Sequence, residues 1–542
     1  MAWKRRLYLC LSLIRLYFAL APSYIHPDEH FQGPEVVAGE HFGWKVTKTW
    51  EFTADHPIRS YVPLLAVYAL PMTVLQWIVN AAPNPTMLFY SVRLLFYFFS
   101  MVYEDWALLE LGSTIAPNGG LLLTASSWVT WSIQTRSFSN SVETVVLLWS
   151  LVFMQRIVSS KGPAIRNCVT LALFVVFGTF NRITFPAFLF LPGISLLRHF
   201  IRYPSSVLAF AVPAIFFTAA FAVLDTHIYT QIPMDSLKLT DLIFTPLNNL
   251  IYNSSTANLA QHGLHPRYTH VLINLPQLLG PSLILLLFSI HPRLLTGCTP
   301  LQAAVSGIVT LSAFQHQEAR FLIPAVPLIL ASVRLPASTA WRRRWMVAWA
   351  LFNVAFGVLM GVFHQGGVVP AQLYLGSVEG LEQAVWWKTY KPPTWLLGAR
   401  SRQVRTVDLM GAKVDVLANV AREMAVCDDD NRRQKTKKRR LRRVIVAPSS
   451  AVALDRWIEG AGGSEDDSFV LRKVWSYSRH LNLDDMDFGD DGVVPTLERV
   501  VGRRGITVYE VVKVGCKHRT RGETSTAGDV DDTQGNGGER DL

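Results

Sequence analysis

Charge and cysteine are both scarce in this sequence. Only 17% of its 542 residues are Asp, Glu, Lys or Arg, while 50% are apolar; a set of soluble domains of this total length would carry about a quarter charged residues. The five cysteines, at positions 10, 168, 298, 427 and 516, show no CxxC spacing, so neither a thiolate metal site nor a disulfide framework can be read from them. No long internal repeat is evident, which weakens a reading as an inverted-repeat transporter. What the chain does have is 30 Phe and 16 Trp gathered into long apolar segments, the composition of an integral membrane protein.

The apolar runs lie at roughly 7–25, 61–80, 87–103, 119–134, 142–157, 168–197, 206–225, 272–290, 300–314, 321–333 and 345–363. They predict about nine to thirteen spans, the run at 168–197 being long enough for a broken or re-entrant pair. The first run follows MAWKRR and ends Ala19-Leu20-Ala21, as a signal peptide would, but Pro22 and the many later spans favour an uncleaved first helix. Short cytosolic loops collect Lys and Arg, which puts Lys4 to Arg6 and the segments 156–166, 196–202 and 334–344 inside. The net charge of +11 owes much to RRQKTKKRRLRR at 432–443, read as a solvated insertion rather than a nucleic-acid patch. The chain divides into a membrane domain at 1–366, an interfacial segment at 367–400, a small soluble α/β domain at 401–517 and a disordered tail at 518–542. In the interfacial segment, EQAVWWKTYKPPTWLLG is expected to lay Trp and Tyr rings at headgroup depth.

With the basic loops inside, six polar clusters fall together on the other side, at 24–35, 136–143, 224–229, 258–270, 314–324 and 363–370. Ionisable groups at span ends are costly near hydrocarbon unless they pair or line a wet cavity, so one shared site is the economical expectation. The first cluster reads YIHPDEHFQGPE. Asp28 and Glu29 follow Pro27 at the start of a short helix, where acids complement the helix dipole; a carboxylate so placed can still act as a base. His26, Asp28 and His30 lack the HExxH spacing that projects two imidazoles from one helix face, so no metal site is read there.

In the fifth cluster His316, Gln317, Glu318 and Arg320 precede FLIPAVPLIL. Glu318 and Arg320 suit an interfacial ion pair, and the guanidinium equally offers the fork that matches a lipid phosphate. The loop 226–271 carries the glycosylation sequon Asn253-Ser254-Ser255 and, further on, His262, His265, Arg267 and His270, which with Arg320 can surround an anionic headgroup. Glu104 and Asp105 are the main exception to the span-end pattern, falling near the middle of a span or equally marking a short lumenal turn between the third and fourth helices. A transporter or lipid scramblase, the competing class, would need ionisable groups near the middle of spans.

HPDEHFQGPEV, KTWEFTADHPIRSY at 48–61 and HQEARFLIP at 316–324 together resemble the endoplasmic-reticulum (ER) mannosyltransferases that use dolichyl-phosphate-mannose, multispanning enzymes of the GT-C class. NLAQHGLHPRYTHVLINLPQLLGP at 258–281, GVFHQGGVVP at 361–370 and WWKTYKPPTWLLG resemble the branch that extends the glycosylphosphatidylinositol (GPI) precursor. The resemblance spans roughly residues 20–400. It implies an α-helical polytopic GT-C bundle with lumenal loop helices and a small C-terminal α/β appendage. The implied reaction is an inverting transfer of mannose from dolichyl-phosphate-mannose, in α-1,2 linkage, to the third mannose of the GPI precursor at the lumenal face of the ER membrane. The third-mannose step and N-glycan mannose transfer are the neighbouring alternatives.

Carried onto this chain, the acid of the first lumenal loop is the base, Asp28 first and Glu29 second. His26, His316, Glu318 and Arg320 shape the donor-phosphate region, with His265, Arg267, His364 and Gln365 as further contacts. No metal or other cofactor is implied: a lipid monophosphate can be met by Arg and His alone, and the lumenal loops lack a DxD triplet, the DDD at 428–430 reading as surface. The implied partners are the donor, the GPI precursor and ER membrane lipids, with no nucleic acid.

Overall fold

The computed structural model describes residues 2–112, 119–261, 263–289, 299–427, 441–459, 468–486, 488–489 and 492–514. His262, the acidic triplet at 428–430, most of the basic run at 432–443 and the tail at 518–542 lie outside them. The helices that frame the membrane domain are α1 (Ala2–Leu20), α2 (Tyr61–Val79), α3 (Pro85–Gly112), α4 (Ser139–Ser159), α5 (Ile165–Asn181), α6 (Phe190–Arg202), α7 (Pro204–Thr230), α8 (Thr245–Ser254), α9 (Thr299–Ser312), α10 (Ala325–Ser332) and α11 (Thr339–Phe363).

Among the described residues five helices, α2, α3, α4, α7 and α11, are long and apolar enough to cross a membrane, and a pair bent by 120°, His270–Leu279 with Pro281–Leu287, makes a sixth if taken as one span. That is fewer than the apolar runs predict. Several runs are shorter helices packed inside protein: α10 has eight residues, almost all buried, and the run at 119–134 breaks at Ser127, whose side chain caps a new helix, Trp128–Ser132, by accepting from the Val129 N–H. A helix surrounded by protein needs apolar residues as much as one surrounded by lipid, so composition does not separate them. The run at 168–197 is the broken pair expected, α5 and α6 being interrupted at Arg182 to Leu189. Glu104 and Asp105 do not mark a turn. They lie within α3, where Asp105 pairs with Arg15 of α1 at 3.1 Å and accepts from the Tyr8 hydroxyl at 2.6 Å; pairing lets buried charge persist inside a helix.

The C-terminal domain is built on one sheet of β1 (Leu381–Trp386), β2 (Arg405–Asp408), β3 (Arg442–Pro448), β4 (Phe469–Tyr477) and β5 (Ile506–Lys513), in the order β2-β1-β3-β5-β4. β1 runs parallel to β2 and β3, while β5 is antiparallel to β3 and β4. Alternate side chains of each strand serve different cores. Trp386, Val444, Val446 and Val508 join the core continuous with the membrane domain, whereas Val385, Ile445, Ala447 and Val511 pack with Leu417 and Ala418 of the helix Val414–Met424. The segment expected to be interfacial therefore supplies the first strand, and Trp386, Trp387 and Trp395 are buried in protein rather than set at headgroup depth. Cys427 of this domain is disulfide-bonded, which nothing in the cysteine spacing points to. Cys10 and Cys168 are free thiols.

Candidate active site

The stretch YIHPDEHFQGPE folds as two short helices, Asp28–Phe31 and Pro34–Phe42, joined at Gly33. Pro27 precedes the first turn, and the His26 Nδ1 accepts from the Asp28 N–H at 3.2 Å, satisfying one of the donors a helix start leaves unpaired. Gly33 is required by close approach: a Cβ there would lie 2.6 Å from the ring of Tyr68, whose hydroxyl donates to the Ser137 carbonyl at 3.0 Å.

Successive helical side chains diverge by about 100°, and the two acids separate accordingly. Glu29 turns inward and is fully buried, paired with Arg93 of α3 and with Arg136 at 3.4 Å, and accepting from the Ile25 N–H at 3.3 Å. Burial alone would raise its pKa, but the two guanidiniums outweigh it and hold the carboxyl below its usual value. Glu29, expected as the second candidate base, thus lies outside the cavity, as a charge that locks the first loop onto α3. Glu35 has a comparable task, accepting from Thr47 N at 2.9 Å, Thr394 N at 3.2 Å, Trp395 N at 3.2 Å and the Thr394 hydroxyl.

Asp28 turns the other way, into a cavity of about 530 Å³. A continuous line of polar contacts crosses its wall. The His316 Nε2 meets the Glu318 Oε1 at 2.8 Å, and Glu318 accepts from the Arg320 Nη2 at 2.9 Å. Arg320 pairs with Asp28, Asp28 accepts from the Gln32 amide, the Gln32 Nε2 lies 3.3 Å from the Glu51 Oε2, and Glu51 pairs with Arg59 at 2.8 Å. A branch leaves Gln32 through the Ser139 hydroxyl (3.0 Å) to Arg182 (2.9 Å), which pairs with Glu143 at 3.2 Å. Arg182 and Arg320 both lie over the Phe321 ring, 5.5 and 5.6 Å from its centroid. The apolar part of the lining includes Ile183, Pro186, Phe190, Leu311 and Phe314.

Electrostatics set the charge states. Burial lowers the His316 pKa, but hydrogen bonds to Glu318 and to the Gly263 carbonyl more than reverse this, so the imidazole is held above its usual value. For Glu318, burial pulls upward and is outweighed by His316, His26 and Arg182, leaving it below its usual value. His26 is pushed down by burial and by Arg320, which fits its role as an acceptor 3.1 Å from the Arg320 Nη1.

Of the residues singled out in the sequence, Asp28, His316, Glu318 and Arg320 line the cavity, and His26 touches its edge through Arg320. Besides Glu29, the residues His265, Arg267, His270, His364 and Gln365 do not line it. His265 sits behind His316, ring centroids 6.0 Å apart, accepting from the Gln317 N–H at 3.4 Å. Arg267 is exposed, and its carbonyl accepts from the Gln317 amide at 3.2 Å. His364 and Gln365 are buried at the junction of the two domains, bonded to the Tyr390 hydroxyl at 3.2 Å and to Asn482 at 3.0 Å; the GVFHQGG segment is a coupling between domains. Asn253 of the sequon lines the cavity and donates its amide to Asn249 at 2.7 Å, a placement that suits lining better than carrying a glycan.

Gln32, Glu51, Arg59 and Arg182 belong to the site and were not singled out. Three of them lie inside motifs already quoted, and Arg182, at the end of the apolar run of α5, carries the signal of a charge at membrane depth. The contact of Asp28 with Arg320 also places the first loop and the 316–320 segment in one compartment.

Residues 6–397 match the Alg9-like mannosyltransferase family. The chain is 42% identical to GPI mannosyltransferase 4 of Aspergillus oryzae over 549 residues, covering 94% of this chain and 99% of the relative. It is 35% identical to GPI mannosyltransferase 4 of Saccharomyces cerevisiae, with 92% of this chain and 97% of that one covered. Its fold is similar to the crystal structure of ArnT from Cupriavidus metallidurans bound to undecaprenyl phosphate, at a TM-score of 0.50 and 12% identity over 94% of this chain and 98% of that one.

Proposed function

Given that the chain belongs to the Alg9-like mannosyltransferase family, we propose that it transfers mannose from dolichyl-phosphate-mannose, in α-1,2 linkage and with inversion, to the third mannose of the GPI precursor in the ER lumen. The reading is carried by the contact between Asp28 and Arg320 in a cavity that is lined by Phe190, Leu311 and Phe314 beside the membrane helices: a base and a phosphate ligand stand together where a lipid-linked sugar can reach them. The relatives' shared name, GPI mannosyltransferase 4, supports the GPI precursor and the fourth mannose. The C-terminal domain is tied to the first loop through Glu35 and Thr394.

In the proposed reaction the acceptor hydroxyl attacks the anomeric carbon on the face opposite the phosphate while Asp28 takes its proton. The bond from that carbon to the phosphate oxygen breaks, its electron pair leaves with dolichyl phosphate, and the β-linked donor becomes an α-linked product. Before the donor binds, Arg320 is shared by Asp28 and Glu318. The phosphate competes for that guanidinium, which frees the Asp28 carboxylate as a base, and His316 and Arg182 add positive charge around the leaving group. The scheme assigns no step to a metal.

Lipid analysis of cells depleted of the protein tests this. Accumulation of a three-mannose GPI precursor is expected. A two-mannose precursor would move the assignment to the third-mannose step, and truncated N-glycan precursors would remove it from GPI synthesis.

A further inference from the structure

One wall of the cavity differs in chemistry from the rest. It is made by the loop 50–59 and by α8, pinned together where Asn248 and Asn249 donate to the carbonyls of Pro57 and Ile58 at 3.0 and 3.1 Å. Trp50 of the loop and Tyr252 of α8 pack ring against ring, centroids 4.6 Å apart and planes at 31°, and both line the cavity. Glu51 stands next to them. Its Oε1 is held by two Arg59 nitrogens at 3.0 and 2.8 Å, whereas its Oε2 has the longer 3.3 Å contact with Gln32.

We propose that the Trp50–Tyr252 pair and Glu51 form the subsite that holds a mannopyranose ring of the acceptor; this rests on the mannosyl transfer proposed above. One face of a pyranose presents C–H groups with slight positive charge, which suits the negative face of an aromatic ring. A fixed carboxylate beside the rings accepts from sugar hydroxyls, and it disfavours a phosphate. The same lining carries Arg182, His316 and Arg320 with apolar side chains, so one cavity offers groups for a neutral polyol and for an anionic lipid. The Gln32 amide joins them, touching both Asp28 and Glu51, which places the acceptor's hydroxyls within the network that contains the base.

The test uses full-length protein in membranes, dolichyl-phosphate-mannose as donor and a synthetic trimannosyl GPI glycolipid as acceptor. Trp50→Ala and Tyr252→Ala are expected to raise the acceptor KM by about fivefold or more, with the donor KM within about twofold of wild type, and Trp50→Phe and Tyr252→Phe to recover most of the loss. Glu51→Gln keeps the shape of the wall, is expected to show the same split, and decides where an alanine variant does not fold. A smaller change in acceptor KM, or a parallel rise for the donor, overturns the subsite. Wild-type protein that transfers no mannose overturns the proposed function itself, so the two failures are told apart.

Discussion

Asp28 and Glu29 are adjacent in the chain and meet opposite environments: Asp28 lines the cavity against Arg320, and Glu29 is buried between Arg93 and Arg136. Their isosteric amides should therefore fail in different ways. Asp28→Asn is expected to lower mannosyl transfer by at least about tenfold while thermal unfolding in detergent stays close to wild type. Glu29→Gln leaves two buried guanidiniums without their counter-charge and is expected to cost about 3 kcal/mol of stability. Equal loss of stability in both variants would contradict this division.

Among the described residues, Arg320 is the one guanidinium that touches Asp28, Glu318 and His26 together. Lysine keeps its charge and loses the planar fork, so Arg320→Lys should raise the donor KM by roughly tenfold and leave the acceptor KM near wild type. Initial rates with each substrate varied in turn would show this.

The His316–Glu318 pair defines a pH window. His316 is raised above its ordinary value of 6.5, so its contribution to stability is complete below that pH and is lost as pH rises through the folded value. Glu318 is lowered below its ordinary 4.5, so its contribution is present above that pH and is lost as pH falls through the folded value. Unfolding temperature should therefore fall as pH rises above 6.5 more in wild type than in His316→Gln. Superimposable pH profiles would remove the pair from the account.

Glu35 joins the first loop to the segment after β1 through three donors, the Thr394 N–H and hydroxyl and the Trp395 N–H, and also accepts from the Thr47 N–H. Glu35→Ala leaves buried donors unpaired and should cost about 2–3 kcal/mol, read as earlier proteolysis of the C-terminal domain in a limited digest. Unchanged protection would show that the sheet holds to the membrane domain by its apolar face alone.

Much of the site was legible before folding because ionisable side chains in so apolar a chain are conspicuous. Asp28, His316, Glu318 and Arg320 stood out for that reason and do line the cavity. The same signal also marked His364, Gln365, His265 and Arg267, which lie outside the cavity lining, since a polar residue can equally serve a domain junction or a loop. Trp50 and Tyr252 were invisible by this criterion, because aromatic residues are everywhere in the chain.

Composition and the long apolar runs by themselves determined a helical membrane protein, since such segments can satisfy their backbone in lipid only as helices or closed barrels. The polar clusters likewise determined that one shared site was to be expected. Only the tertiary structure decided which of two neighbouring acids faces the cavity, which apolar runs are wrapped in protein, and that Asp28 meets Arg320 across 292 residues of chain. Helical periodicity makes adjacent side chains diverge without saying what either will meet; that depends on the packing of distant segments, where each buried charge must find a partner.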